Sequence, residues 1–165
     1  GRSLLEGGRF PSTLILAPPG AGKTTLLREV IRLLSDECGL RTAIADERGE
    51  VAAIWHGVPQ MDIGRRTDVL DGAPKAEGML MLLRSMTPQV LAVDEITDPA
   101  DVRALSAAAN CGVSLLATVH GGSPEELKRR SVSRTLLEEQ AFRRLILIER
   151  DADGARHYRM EPLPC

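Results

Sequence analysis

An apolar run, Thr13-Leu-Ile-Leu-Ala17, is joined to an amphipathic one, Leu26 to Leu34, by Pro18-Pro-Gly-Ala-Gly-Lys-Thr-Thr25. This junction restricts the fold more than any other stretch, because strand, glycine-rich turn and helix start in that order make a phosphate cradle. Gly20 and Gly22 let the backbone curl so that its N–H groups point inward. A helix opening near Lys23 adds the positive end of its dipole at the same place. Lys23 brings a mobile charge to the β- and γ-phosphates, and the Thr24 hydroxyl is placed to ligate Mg2+. Pro19, Gly20, Ala21, Gly22, Lys23, Thr24 and Thr25 are the predicted nucleotide-binding residues, with Gly22-Lys-Thr-Thr25 as the core of a Walker A motif. Ala17 stands where a glycine is usual, and a small residue with negative φ serves there.

The remaining chain alternates strand and helix patterns. Thr42-Ala-Ile-Ala45, Val90-Leu-Ala-Val93 and Val113-Ser-Leu-Leu-Ala117 read as buried strands. Lys75 to Met86 and Pro99 to Asn110 carry helical periodicity, the second with Asp98 as its N-cap. Ser123 caps a charged helical region running to Gln140, with Ser131 and Ser133 as candidate interruptions. Arg144 to Glu149 and Arg156 to Met160 flank the turn Asp151-Ala-Asp-Gly154 as a hairpin. Val51 to Pro74, broken by Gly57, Pro59, Gly64 and Gly72, reads as a long functional loop. Alternation of this kind predicts an α/β fold with a mostly parallel sheet and ligands at the carboxyl ends of its strands.

Glu50, Asp94, Glu95, Thr118 and His120 all fall at or just past such ends, so they face the same crevice as the lysine loop. Triphosphate hydrolysis needs charge stabilisation, a held Mg2+ and an aimed water. Asp94 closes an apolar strand in the Walker B manner and is the second predicted metal residue beside Thr24. Glu95 is the candidate to polarise the water. Thr118 and His120 fit a γ-phosphate sensor, with a satisfied structural histidine as the rival reading. Asp46, Glu47 and Glu50 fit assistance to metal or water and equally fit solvated charge. Arg65 and Arg66, set in the long loop, fit an arginine finger given to a neighbouring subunit. Lys75, Glu77 and Arg84 read as helix surface.

Composition removes several classes. At 165 residues with net charge −2, residues 1–165 read as one domain without a basic field for nucleic acid or anionic lipid. Phe10, Trp55, Phe142 and Tyr158 are all the aromatics, too few for a base-stacking surface. Cys38, Cys111 and Cys165 have neither metal spacing nor a disulfide framework. No apolar stretch reaches membrane-spanning length and no signal peptide is visible. The first strand begins almost at once, so a preceding domain of a longer chain is expected.

Pro18 to Arg28, Asp46-Glu-Arg-Gly-Glu50, Gly57-Val-Pro-Gln60, Arg66-Thr-Asp-Val-Leu-Asp-Gly72, Pro74-Lys-Ala-Glu-Gly78, Ala92-Val-Asp-Glu-Ile96 and Ala117-Thr-Val-His-Gly121 occur in this order. Together they resemble the ATPase domain of the stage III sporulation protein AA family. That family is in turn similar to type II and type IV secretion ATPases. The resemblance implies a RecA-like three-layer αβα P-loop NTPase with a C-terminal β-hairpin. Numbering the five predicted parallel strands along the chain, the implied sheet order is 5-1-4-3-2. It also implies ATP and Mg2+ as ligands and a hexamer of the additional-strand, catalytic-glutamate class. Such an ATPase would work in the mother-cell cytoplasm, peripheral to the membrane, under the membrane proteins of a channel to the forespore. A nucleic-acid-associated P-loop ATPase is the alternative, opposed by the charge balance. A nucleotide-gated assembly module that barely turns over and a small-molecule kinase rank behind it.

Overall fold

β1 (Thr13–Ala17) is buried along its whole length, as a strand covered on both faces must be. The structure, a computed structural model, describes residues 2–163. α1 (Lys23–Asp36) follows the loop and buries Leu27, Val30, Ile31 and Leu34 along one stripe. Then come β2 (Thr42–Asp46), a small hairpin of β3 (Ile54–Trp55) and β4 (Val58–Pro59), β5 (Thr67–Asp71) and α2 (Lys75–Ser85). β6 (Val90–Val93), α3 (Pro99–Asn110), β7 (Ser114–His120), α4 (Pro124–Arg129), α5 (Ser131–Glu138), β8 (Arg144–Arg150) and β9 (Arg156–Pro162) complete the described chain.

The main sheet runs β5-β2-β6-β7-β1-β8-β9. Every pairing in it is parallel except β8 with β9. The predicted strands are β1, β2, β6, β7 and β8, so the predicted order 5-1-4-3-2 is the order observed, with the terminal hairpin beside it. Alternate residues of each strand feed two cores. Leu14 and Leu16 join Met79, Leu82, Val102, Leu105 and Leu136 on the face covered by α2, α3 and α5. Ile15 and Ala17 join Leu27, Val30 and Ile31 under α1 on the other face. Emptying either side is costly: Leu105 is fully buried, and truncating such a side chain to Ala costs about 2–5 kcal/mol.

The stretch 51–74 differs from expectation. It is not structureless: it holds the β3–β4 hairpin and the edge strand β5, paired with β2 from Thr67↔Thr42 to Asp71↔Asp46. Its many glycines mark turns between short elements. The charged region before Gln140 is two helices, parted at Arg130, whose ψ of 130° is extended. Ser131 opens the second helix and Ser133 lies buried within it. β7 also runs three residues beyond its apolar core, carrying Thr118 to His120 inside a strand. Cys38 and Cys111 are not joined to one another, and Cys165 lies outside the described residues.

Candidate active site

The loop after β1 places Gly20 and Gly22 at φ of 76° and 88°, the left-handed region that glycine enters without strain. Gly22 is the N-cap of α1 and offers no side-chain acceptor to the first turn. The N–H groups opening that helix therefore remain donors for an anion. Ala17 keeps a negative φ, so alanine is unstrained where glycine is usual.

Parallel pairing brings the carboxyl ends of β1, β6 and β7 side by side. Thr24 Oγ1 lies 2.8 Å from Asp94 Oδ2. Lys23 Nζ lies 3.1 Å from Glu95 Oε1. His120 Nε2 lies 3.0 Å from the same carboxylate oxygen and 3.4 Å from Lys23 Nζ. Donation of Nε2–H to Glu95 leaves the buried, unpartnered Nδ1 as a bare lone pair, cheaper to bury than an unpaired N–H. Burial by itself pushes the Glu95 carboxyl up. The Lys23 hydrogen bond and the favourable electrostatics of Lys23, His120 and Arg48 outweigh it and hold the group below its ordinary value.

The Glu95 backbone sits at φ 52°, a left-handed conformation that a non-glycine residue keeps only where its surroundings enforce it. Two side chains enforce it. Glu95 N–H donates to Thr118 Oγ1 at 2.8 Å, and Lys75 Nζ donates to Glu95 O. Lys75 is in turn 3.2 Å from Thr97 Oγ1 and 3.4 Å from Asp101 Oδ2. Lys75 is therefore no surface residue: its side chain is only 11% exposed. Its sequence position carries a signal of this, since a cation in the first turn of a helix opposes the dipole and needs another reason to be there.

Thr118 also departs from expectation. Its hydroxyl is fully buried and spent, donating to Asp94 Oδ1 while accepting from Glu95 N–H. It is a clamp on the acidic pair, not a group free to sense phosphate. Asp46 is likewise buried, and its carboxylate accepts from Val51 N and Ala52 N at 3.3 and 2.9 Å. That fixes a turn and leaves Glu47, Arg48 and Glu50 lining a cleft with Asp94 and Glu95. Arg28 of α1 holds the Glu50 and Val51 carbonyls at 2.9 and 2.7 Å. Arg48, passed over in the sequence, reaches to 3.6 Å from Glu95 Oε2.

Arg65 and Arg66 are not brought to this cluster. They precede β5, whose carboxyl end pairs with that of β2, so they lie at the opposite end of the strands. Their backbone N–H groups dock on the last turn of α1, on Asp36 Oδ1 and Ser35 Oγ at 2.7 Å each. Within one chain they do not reach the loop.

A hydroxyl and a carboxylate side by side suit Mg2+, which takes one or two protein oxygens and completes its shell with phosphate and water. Among the described residues no group of three or more His, Cys, Asp or Glu forms an all-protein metal cage.

Sheet order, glycine loop and opposed acidic pair define a RecA-like P-loop fold. The same fold is found in the VirB11 ATPase of the Brucella suis type IV secretion system, at TM-score 0.67 and 16% identity over 98% of this chain and 50% of that one. It recurs in the pilus retraction motor PilT with bound ADP, at TM-score 0.65 and 16% identity over 93% and 47%. The chain belongs to the family described as sporulation stage III, protein AA, whose model matches residues 3–158. It is 46% identical over 143 residues to stage III sporulation protein AA of Bacillus subtilis, covering 84% of this chain and 47% of that protein. The chain thus spans about half the length of that relative.

Proposed function

We propose that this chain binds and hydrolyses Mg-ATP as the motor domain of a longer sporulation protein. The observation that carries the reading is the meeting of Lys23, Thr24, Asp94 and Glu95 over one sheet edge. Lys23 and the opening N–H groups of α1 grip the β- and γ-phosphates. The incoming phosphate competes with Glu95 for the Lys23 ammonium, and the freed carboxylate takes up the attacking water. A glutamate carboxyl is ionised at neutral pH, so Glu95 enters the reaction as a base. His120 hydrogen-bonds Glu95 and steers it. Mg2+, held by Thr24 and Asp94, would neutralise charge on the phosphates. Pro19, Gly20, Ala21, Gly22 and Thr25 complete the cradle, and Glu50 borders the water's approach.

Family membership supports a role in sporulation, and the shared fold of secretion and pilus ATPases supports work at a membrane apparatus. We read the assembled form as a hexamer in the mother-cell cytoplasm, energising assembly of, or transport through, a channel to the forespore. It would touch that channel through membrane protein partners. Among the described residues no helix is long and apolar enough to cross a membrane.

The test is ATP turnover against protein concentration, with sizing of the nucleotide-bound species, for the parent and for Glu95→Gln. The parent turns over ATP only with Mg2+, and steeply with concentration if subunits complete one another's sites. Glu95→Gln retains binding and loses about a hundredfold or more in rate. Undiminished turnover by Glu95→Gln removes Glu95 from the mechanism.

A further inference from the structure

β8 outruns its neighbour. Its register with β1 ends at Leu16↔Leu147, yet the strand continues to Arg150, level with the phosphate loop. β9 returns from the turn with Arg156 directly opposite Arg150. Both guanidiniums meet the loop. Arg150 Nη2 donates to Gly20 O at 3.1 Å. Arg156 covers Gly22 so closely that a Cβ there would come within 2.6 Å of Nη1 and 2.9 Å of Cζ.

Like charges opposed across a strand pair repel, and here the positive end of α1 adds the same sign. The hairpin's acids do not relieve this. Asp151 faces His157 at 2.8 Å, while Glu149 and Glu161 take Arg159 at 3.2 and 2.9 Å. Among the described residues no carboxylate lies within ion-pair distance of Arg150 or Arg156. Uncompensated positive charge gathered over a loop shaped for phosphate calls for a polyanion.

We propose that Arg156 binds the phosphate oxygens of a nucleoside di- or triphosphate in its own chain, with Arg150 fastening the hairpin to the loop through Gly20. The proposal rests on the nucleotide-binding reading above. The hairpin flanks the loop on the side of β1 away from Asp94 and Glu95, so its contacts are made equally in ground and transition states. Such contacts set affinity and leave kcat alone.

The full chain is titrated with ADP and, in the Glu95→Gln background, with ATP, both with Mg2+. Arg156→Ala should weaken both ligands about ten- to a hundredfold, the worth of a hydrogen bond between charged partners. Arg159→Ala, on the same hairpin and pointing no bond at the loop, should bind as the parent does. Parent-like affinity in Arg156→Ala overturns the proposal. So does equal weakening by Arg159→Ala, which would assign the effect to hairpin integrity. A parent that binds no nucleotide defeats the hydrolase reading itself; a binding parent with an indifferent Arg156→Ala defeats this proposal alone.

Discussion

Replacing Lys75 by Met removes one ammonium and keeps the length of the stem. Three oxygens each lose one donor: Glu95 O, Thr97 Oγ1 at 3.2 Å and Asp101 Oδ2 at 3.4 Å. Breaking a buried pair costs about 3–5 kcal/mol when the partner charge is stranded. Asp101 is not stranded, because Thr97 N and Asp98 N still donate to it at 3.0 and 3.3 Å. The cost falls to that of a charged hydrogen bond, about 2–3 kcal/mol, or about 5–10 °C in Tm for a chain of this size. A second loss falls on the proposed hydrolysis. The left-handed Glu95 backbone stores on the order of 1–3 kcal/mol, and Lys75 is one of its two braces. Once it relaxes, a carboxylate displaced by about 1 Å forfeits about a hundredfold in rate. The assays are thermal unfolding, nucleotide titration and saturating ATP turnover. Lys75→Met should lower Tm and kcat together and leave nucleotide affinity unchanged, since the loop is untouched. A lowered Tm with parental kcat would refute the bracing argument.

Three further outcomes are expected. Thr118→Val keeps the shape but leaves the Glu95 N–H without its acceptor, so it should cost about 1–3 kcal/mol, read as a lower denaturation midpoint. Glu95 contributes stability that is fully present above about pH 4.5 and is lost as pH falls through its lowered value. The stability gap between parent and Glu95→Gln should therefore be flat above about pH 5 and close in acid; a gap that widens in acid reverses the sign of the argument. If Arg65 or Arg66 serves a neighbouring subunit, the double alanine variant mixed with Lys23→Ala should regain turnover, and no recovery at any ratio would remove that role.

Much of the sheet was legible because parallel strands covered on both faces leave uninterrupted apolar runs, and Asp98 and Ser123 announce their helices by local capping chemistry. β5 escaped because an edge strand is only half covered: Asp68 and Asp71 point outward and its burial never becomes continuous. At the site, Lys23, Thr24, Asp94 and Glu95 could be found from position alone, since topology carries strand ends to a common rim. Thr118 and Lys75 could not be assigned that way. Their partners are chosen by contacts across 23 and 20 residues of chain, and no local pattern says whether a hydroxyl or an ammonium is already spoken for. Arg65 and Arg66 fall in the stretch read as a long loop, but they are pinned through main-chain N–H groups whose acceptors lie on another element.

Both braces on residue 95 grip main-chain atoms, one the nitrogen and one the oxygen. Glutamine installed there inherits the same main-chain frame, so the carboxylate can be exchanged for an amide with residue 95 still held in place. Under the proposed hydrolase reading, a folded form that holds nucleotide and halts before chemistry is thereby one substitution away.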